Sequence, residues 1–336
     1  MDSLTQALLG ATTFALIKDK QIGNRSLIIG AVCGTIPDLD VLLFPFYNEI
    51  ELLLIHRGFS HSILFAILLT IFFSEIAYKI YNKQYKRLKW YLAFFLSIMT
   101  HAILDCFTTY GTQLFNPFSS QLISFNTIHV IEPVYTLTLL IGIVLVLIKK
   151  NMSLSRQHIL KYSIIISTTY LLWTFISKEI AQQSFIRELQ CQKIRFQDIK
   201  VSPTPLNSLL WHGIVKTNNG YYFATYSLLD KRSKIEFYFE PCDYEIISHI
   251  KQNSLVSSYI KYSQEFELIH QKQQGQIQIF AVKYGPINYF GRPEFIFPLC
   301  LNEYDLRDDK IYIDKSDSKL GPLNNMDALF KRICGI

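Results

Sequence analysis

Apolar residues dominate the first half of the chain and form runs long enough to be helices in a lipid bilayer. Six runs follow one another, at residues 4–17, 27–46, 59–81, 88–110, 128–148 and 159–176. Because a helix rises about 1.5 Å per residue, about 20 apolar residues cross the hydrocarbon core of a bilayer. The first run is short for a full span and either crosses the bilayer or enters it only part way. We therefore predict a membrane α-helical bundle over residues 1–180, with about five to six transmembrane helices.

Residues 181–336 have a different pattern, in which apolar and polar residues alternate over short segments. Such segments lie at 235–239, 276–284 and 294–299, and Gly and Pro separate them. Alternation with a period of two is typical of strands that bury one face. We expect this part to be a soluble α+β domain that is mostly β and contains few helices.

The basic residues are distributed unevenly among the loops between the apolar runs. Eleven of them follow runs one, three and five: Lys18, Lys20, Arg25, Lys83, Lys86, Arg87, Lys89, Lys149, Lys150, Arg156 and Lys161. The loops at 47–58 and 111–127 contain a single basic residue, Arg57. Because cytoplasmic loops of membrane proteins are enriched in Lys and Arg, we predict a multi-pass protein of the plasma (inner) membrane with an extracytoplasmic C-terminal domain. The net charge of +6 is then a topology signal, and we expect membrane lipids and no nucleic acid as partners.

Two features of the sequence limit the alternatives further. The six cysteines are scattered and show no metal-type spacing. The first residues, MDSLTQALLGA, contain no Lys or Arg before the apolar run, which argues against a cleaved signal peptide.

Two carboxylates, Asp38 and Asp40, interrupt the second apolar run. They are two residues apart, so an ideal helix would point them to different sides. Pro37 precedes them and removes a helix hydrogen bond, which favours a break that could aim both carboxylates at one cavity. The alternative is an ordinary loop between two short helices.

The segment HRGFSHS at 56–62 opens the third run from the outward side. His56 and His61 are potential metal ligands, and the Arg57 guanidinium can bind an anionic group. We expect Ser60 to be the N-cap of the following helix, which would place His61 in its first turn. The alternative is a polar cap that only anchors the helix at the membrane surface.

The fourth and fifth runs contribute further ionisable residues to the same membrane face. His101 and Asp105 are four residues apart, so they share a helix face and can bind one cation. Such groups are costly in apolar sequence and usually functional, although a His–Asp pair could also serve only helix packing. Glu132 precedes Pro133 at the start of the fifth run, where an acidic residue also suits helix capping.

These residues form a mixed nitrogen and oxygen donor set at one membrane face. The candidate metal ligands are Asp38, Asp40, His56, His61, His101, Asp105 and Glu132. This donor set suits a divalent metal, most readily Zn²⁺ or Mn²⁺, which could activate water near neutral pH. We predict catalytic roles for Arg57, His61 and Asp105. The candidate substrate-binding residues are Arg57, Thr108, Thr109, Thr112 and Gln113.

Several motifs together resemble a known family, the inner-membrane metal-dependent hydrolases often called YdjM-like. The matching segments are MDSLTQALLGA, Pro37–Asp40, HRGFSHS, THAILDCFTTYGTQLFNPFS at 100–119, Glu132–Pro133 and PTPLNSLLW at 203–211. Many members have His where this chain has Gln6, and Asp where it has Glu132. The resemblance implies a polytopic membrane fold with a metal site built from these motifs.

Three functions are compatible with these observations. The first is a membrane-bound metal-dependent hydrolase acting on a phosphoester or an amphiphilic, lipid-linked small molecule at the outer face of the membrane. The second is an ion-binding or transport protein, which predicts polar groups near mid-membrane and often an internal repeat. The third is a non-catalytic scaffold that displays the β domain.

Overall fold

A computed structural model of the chain describes residues 1–231, 234–272, 275–316 and 326–336. The chain divides into two compact units. The first unit comprises Met1–Leu43, Ile55–Phe125 and His129–Trp173. The second comprises Phe44–Leu54, Asn126–Ile128 and the described part of Thr174–Ile336.

The N-terminal half of the chain is helical. Its helices are α1 (Ser3–Ile22), α2 (Arg25–Thr35), α3 (Glu49–Ile55), α4 (Ile63–Ile80), α5 (Arg87–Cys106), α6 (Pro133–Leu147) and α7 (Leu154–Cys191). Two 3₁₀ segments interrupt this series, at Ile36–Phe46 and Phe59–His61. The expected break at Pro37 is confirmed, because α2 ends at Thr35 and the chain continues as a 3₁₀ helix.

Helix α1 is the centre of the first unit and packs against α2, α5 and α6. It begins at the N-cap Asp2, whose carboxylate accepts a hydrogen bond from the Thr5 backbone N–H at 2.9 Å. Gly10 of α1 faces Gly30 and Gly34 of α2 so closely that a Cβ on any of the three would collide with the opposing backbone. Small residues allow this approach in a membrane bundle, where interhelical packing replaces the hydrophobic effect.

The number of membrane-spanning helices is lower than predicted. Among the described residues, three helical stretches are long and apolar enough to span a membrane: Arg25–Phe46, Ile63–Ile80 and Leu154–Cys191. The prediction of about five to six is wrong by this criterion. Helix α6 is apolar but has only 15 residues. Helices α1 and α5 are longer, but α1 contains Lys18, Asp19 and Lys20, while α5 contains charged residues near both of its ends.

The start of α4 also differs from the prediction. The N-cap is Ser62, whose hydroxyl accepts from the Phe65 N–H at 3.1 Å, and not Ser60. His61 therefore lies in the preceding 3₁₀ turn and not in the first turn of the helix. The hydroxyl of Ser60 is consequently available for another contact.

The second unit contains two four-stranded antiparallel sheets, so the expected β-structure is confirmed, although residues 294–298 of the predicted segment 294–299 are not in a strand. The first sheet has the order β1 (Asp198–Pro203), β2 (Leu210–Thr217), β3 (Gly220–Ser227), β4 (Tyr238–Pro241). The second has the order β5 (Glu267–Gln271), β6 (Gln276–Ala281), β7 (Leu299–Asn302), β8 (Tyr312–Ile313). Besides most of α3 and the end of α7, the described part of the second unit contains the helices α8 (Tyr244–Ile250), α9 (Ser254–Ser263) and α10 (Met326–Ile333). All six cysteines are described, and none forms a disulfide.

The end of α7 belongs to the core of the first sheet. Phe185 is fully buried and packs with Trp211 of β2 and Val201 of β1. Gly213 lies under the Phe185 ring, where a Cβ would come within 2.8 Å of the ring carbons. The Trp211 indole N–H donates to the Ser177 hydroxyl of α7 at 3.0 Å. The long helix is thus joined to the sheet by both apolar and polar contacts.

Candidate metal centre

Four side chains of the first unit converge on one point. Asp38, His61, His101 and Asp105 each offer one ligand atom, and these four atoms lie within 4.8 Å of one another. They come from the 3₁₀ segment after α2, the turn before α4, and α5. The second, third and fourth apolar runs of the sequence therefore meet in space. This group could hold a metal ion.

The orientation of His101 is fixed by the backbone of α2. Its Nδ1 lies 2.5 Å from the Gly34 carbonyl oxygen, which can only accept a hydrogen bond. The Nδ1 atom therefore carries the proton in the neutral ring, and Nε2 presents its lone pair to the group. Metal-binding histidines commonly use a backbone carbonyl in this way.

The orientation of His61 is fixed by a serine and a carboxylate. The Ser60 hydroxyl donates to Asp40 Oδ2 at 3.0 Å, and the same hydroxyl oxygen lies 2.9 Å from His61 Nδ1. Because its proton is directed at the carboxylate, the hydroxyl accepts from His61 Nδ1–H. His61 Nε2 thus also presents a lone pair.

These assignments leave electron pairs facing one another. The Nε2 atoms of His61 and His101 are 3.1 Å apart. Asp38 Oδ1 lies 3.4 Å from His61 Nε2 and 3.3 Å from His101 Nε2. Asp105 Oδ2 lies 3.4 Å from His61 Nε2 and accepts no hydrogen bond of good geometry, although the Arg57 guanidinium lies next to it. Arg57 and the Met1 amine offset the charge of Asp105, and a proton shared by the rings or a metal ion could offset the repulsion among the other acceptors. The donor set and its geometry fit a divalent metal.

Asp105 is also the electrostatic partner of Arg57. Arg57 Nε lies 3.1 Å from Asp105 Oδ2, and Arg57 Nη1 donates to the Thr108 hydroxyl at 2.7 Å. Asp105 Oδ1 accepts from the Met1 nitrogen and from Gln6 Nε2, the latter at 3.0 Å. The need of Asp105 for a positive partner near a helix C-terminus is thereby met.

Arg57 itself is held in an uncommon backbone conformation. Its φ is +62°, and its side chain is only 5% exposed. A non-glycine residue in the left-handed region costs free energy and is often found at functional sites. Because its guanidinium is occupied by Asp105 and Thr108, its geometry favours a role in positioning Asp105. Its role in binding substrate stays a prediction.

The other three predicted ligands lie outside the group of four. Asp40 lies on the Nδ1 side of the His61 ring, 3.7 Å from that nitrogen. It accepts a hydrogen bond from His56, whose Nδ1 lies 3.1 Å from Asp40 Oδ1. Glu132 is buried at the start of α6, where its Oε1 accepts from the Tyr170 hydroxyl of α7 at 2.5 Å. The structure therefore places Asp40 and His56 in the surroundings of the group, and Glu132 in a contact between helices.

The predicted substrate-binding residues are all buried. Thr108 contacts Arg57, and the Gln113 N–H donates to the Arg57 carbonyl at 3.0 Å. Thr112 pairs with Ile123 through backbone hydrogen bonds. Thr109 is 7% exposed. Their observed contacts fix the loop after α5 against the HRGFSHS segment, and a substrate role for them stays a prediction.

Three residues around the group have roles that we did not predict. Ser60 bridges Asp40 and His61, whereas Gln6 holds Asp105 and leaves its own buried Oε1 without a hydrogen-bond donor. The Tyr110 ring lies 4.8 Å from the Arg57 guanidinium carbon and 5.6 Å from the His56 ring. The presence of Ser60 in the HRGFSHS motif and of Gln6 in the first motif were the available signals.

Two curated bacterial proteins are similar to parts of this chain. The chain is 28% identical over 140 residues to "Uncharacterized protein YfhP" of Bacillus subtilis (strain 168), covering 40% of this chain and 42% of that protein. It is 33% identical over 92 residues to "Inner membrane protein YbcI" of Escherichia coli (strain K12), covering 27% and 52% respectively. The matches thus span about half the length of these curated relatives. No solved structure matches the chain.

A family model covers the helical half of the chain and includes all four residues of the group. The family model "YdjM inner membrane protein" matches residues 1–181, which is more than half of the chain. The protein therefore belongs to the YdjM inner membrane protein family.

Proposed function

We propose that this protein is a membrane-bound metal-dependent hydrolase that acts on a phosphoester or an amphiphilic, lipid-linked substrate. The observation that carries the proposal is the convergence of two imidazole nitrogens and two carboxylate oxygens, all within 4.8 Å of one another. Asp38, His61, His101 and Asp105 would hold the metal, with Zn²⁺ or Mn²⁺ as the best candidates for this donor set.

The metal would supply the chemistry, and the residues around it would orient its ligands. A divalent metal with an open coordination position lowers the pKa of water and polarises a phosphoryl or carbonyl oxygen. Gly34 and Ser60 direct the imidazole lone pairs, and Arg57 keeps Asp105 ionised and in place. The side chain of Asp38 is 22% exposed while the other three are fully buried, so reactants approach past Asp38.

The surroundings of Asp38 support an amphiphilic substrate. Leu39, Val41, Leu42 and Leu43 follow it in the same 3₁₀ segment, and all four are between 45% and 68% exposed. Exposed apolar side chains beside a polar site suit a ligand that has a polar head and an apolar tail. This segment is part of a candidate membrane span, so such a substrate would come from the bilayer.

Metal analysis of the purified protein tests the centre. We expect about one equivalent of metal per chain in detergent, its loss in His101→Ala, and its retention in His158→Ala. His158 is an exposed histidine of α7 and is a matched control. A folded wild-type protein that binds neither Zn²⁺ nor Mn²⁺ would mean that a shared proton, and not a metal, balances the four acceptors.

Hydrolysis is tested separately with the metal-loaded protein. Phosphoester and carboxylic ester substrates, each with and without an acyl tail, would be compared in mixed micelles before and after chelation. We expect turnover that requires the metal and is faster with the tail. Stoichiometric metal without turnover of any of these substrates would favour the ion-binding alternative.

The proposal also places the second unit outside the cytoplasm. The charge bias of the loops supports this orientation even though Lys18 and Arg156 are fully buried, because the other nine basic residues still outnumber the single Arg57 of the opposite loops. An alkaline phosphatase fused after Ile336 should be active, and a green fluorescent protein at the same position should be dark. The reverse result would place the second unit in the cytoplasm.

A further inference from the structure

Ser60 lies between a fixed carboxylate and a metal-competent histidine. Its hydroxyl donates to Asp40 Oδ2 at 3.0 Å and lies 2.9 Å from His61 Nδ1. We propose that Ser60 is a positioning residue which, together with Asp40, sets the metal-binding tautomer of His61. This inference rests on the metal centre of the proposed function.

Asp40 is suited to anchor such a relay. Its side chain is 3% exposed, and it accepts from the Arg57 backbone N–H at 3.2 Å as well as from Ser60. His56 Nδ1 lies 3.1 Å from its other oxygen. Contacts to both oxygens prevent the carboxylate from rotating. The direct distance from Asp40 Oδ2 to His61 Nδ1 is 3.7 Å, too long for a hydrogen bond, so the hydroxyl is needed as the intermediate.

The two histidines of the centre differ in how they are held. His101 Nδ1–H donates directly to a backbone carbonyl, which no side-chain substitution removes. His61 Nδ1–H depends on the side-chain hydroxyl of Ser60, which a substitution can remove. Without that hydroxyl its proton is free to move to Nε2, and a protonated Nε2 cannot bind a metal. His61 is therefore the histidine whose ligation depends on a second residue.

The consequence is a defined loss of metal affinity. Outer partners of metal-binding histidines typically change metal affinity by about 10–100-fold. We expect Ser60→Ala to weaken metal binding within that range. Ser60→Thr keeps a hydroxyl at the same position and should retain affinity within about threefold of wild type.

Ser62 provides a matched control two residues away. Its hydroxyl caps α4 through the Phe65 N–H, and no described hydrogen bond joins it to either histidine of the centre. Loss of a helix cap costs about 1 kcal/mol of stability. Ser62→Ala should therefore lower the unfolding midpoint and leave metal affinity unchanged.

The experiment uses the full chain in detergent and Co²⁺ as the probe. Affinity is measured by competition with a chromophoric chelator, and the visible absorption of bound Co²⁺ reports the ligand field. Circular dichroism and gel filtration establish that each variant is folded. The expected result is weak binding with altered absorption for Ser60→Ala, and near wild-type behaviour for Ser60→Thr and Ser62→Ala.

Two outcomes would overturn the relay, and a third is separate. Wild-type affinity in folded Ser60→Ala would show that the hydroxyl is not required. Equal loss in Ser60→Ala and Ser60→Thr would show that packing at position 60, and not the hydroxyl, is what matters. Failure of the wild type itself to bind Co²⁺, Zn²⁺ or Mn²⁺ would refute the metal centre, and the relay would fall with it.

Discussion

The two carboxylates of the centre should respond differently to loss of their charge. Asp38 contacts His61 and His101 and lies near the Asp105 carboxylate, whereas Asp105 also pairs with the buried Arg57. In the metal-free protein, Asp38→Asn removes one of two nearby negative charges and introduces an N–H that can donate to an imidazole lone pair. Asp105→Asn instead leaves a buried guanidinium without its counter-charge.

The expected magnitudes follow from these contacts. Removing one partner of a buried ion pair costs about 3–5 kcal/mol, so metal-free Asp105→Asn should lose that much stability. Metal-free Asp38→Asn should be as stable as wild type or slightly more stable. Both variants should bind metal at least about 100-fold more weakly, since a ligand matters no less than its outer partners. At a metal concentration 1,000 times the wild-type Kd, binding then stabilises wild type by about 4 kcal/mol and Asp38→Asn by about 1.4 kcal/mol.

Denaturant unfolding in detergent, with chelator and with metal, measures all of these quantities. The wild type and Asp38→Asn should unfold at similar denaturant concentrations in chelator and separate when metal is added. Asp105→Asn should already unfold earlier in chelator. The reasoning is refuted if the two variants have the same metal-free stability, or if Asp38→Asn gains as much from metal as wild type does.

Three further substitutions test other parts of the structure. Arg57→Lys keeps a cation beside Asp105 but loses the guanidinium that contacts both Asp105 and Thr108, so metal affinity should fall about tenfold together with turnover. Unchanged metal affinity with lost turnover would instead indicate that Arg57 binds substrate. Gln6→Leu removes the hydrogen bond to Asp105 and should weaken metal binding about tenfold in a chelator competition, and no change would mean that this contact is dispensable. Burial lowers the pKa of Lys200 from its ordinary value of 10.5 to about 8. Between these two pH values the unfolded chain binds a proton that the folded chain does not, so the free energy of unfolding rises with pH. Lys200→Met should stabilise the second unit by about 1–3 kcal/mol at pH 7 and flatten this rise, as measured by pulse proteolysis of the full chain in urea, and a wild-type pH dependence in the variant would contradict the assignment.

The location of the centre could be predicted from spacing alone. His101 and Asp105 share a helix face because α5 continues through both residues. Pro37 indicated where α2 would end, and ionisable residues in apolar runs are rare enough to identify the face where they meet. Gly30 and Gly34 are four residues apart, a spacing typical of close helix–helix contacts in lipid, and they lie where α1 and α2 approach each other.

Which polar residues belong to the group of four and which ones support it could not be predicted. Asp38 and Asp40 are chemically identical and lie in a 3₁₀ helix, where residues two apart point about 240° apart around the axis. One of them therefore faces the histidines of the group and the other lies behind His61. The same uncertainty applies to Ser60 and Ser62, since either could cap α4 until the length of the preceding turn is known.

The predicted count of membrane spans was too high because an apolar run in the sequence does not show where a helix ends or which charged residues it includes. Helix α1 is apolar because it is surrounded by other helices, with Phe14 and Ala15 fully buried. Its buried charged residues are satisfied inside the protein: Asp19 pairs with Arg156 at 2.6 Å, and Lys18 lies over the Trp90 ring. Such partners are distant in sequence and leave no local signal.

The 3₁₀ segment Ile36–Phe46 links metal binding to the order of the backbone. Within it only Pro37 and Asp40 are buried, so few apolar contacts fix its position. Without metal, the hydrogen bonds of Asp40 with His56, Arg57 and Ser60 therefore supply much of what holds it. A bound cation would act as a cross-link for this segment, and its backbone amides should exchange hydrogen more slowly when metal is present. The measured affinity is accordingly the intrinsic affinity of the four ligands multiplied by the fraction of molecules in which this segment is already in place.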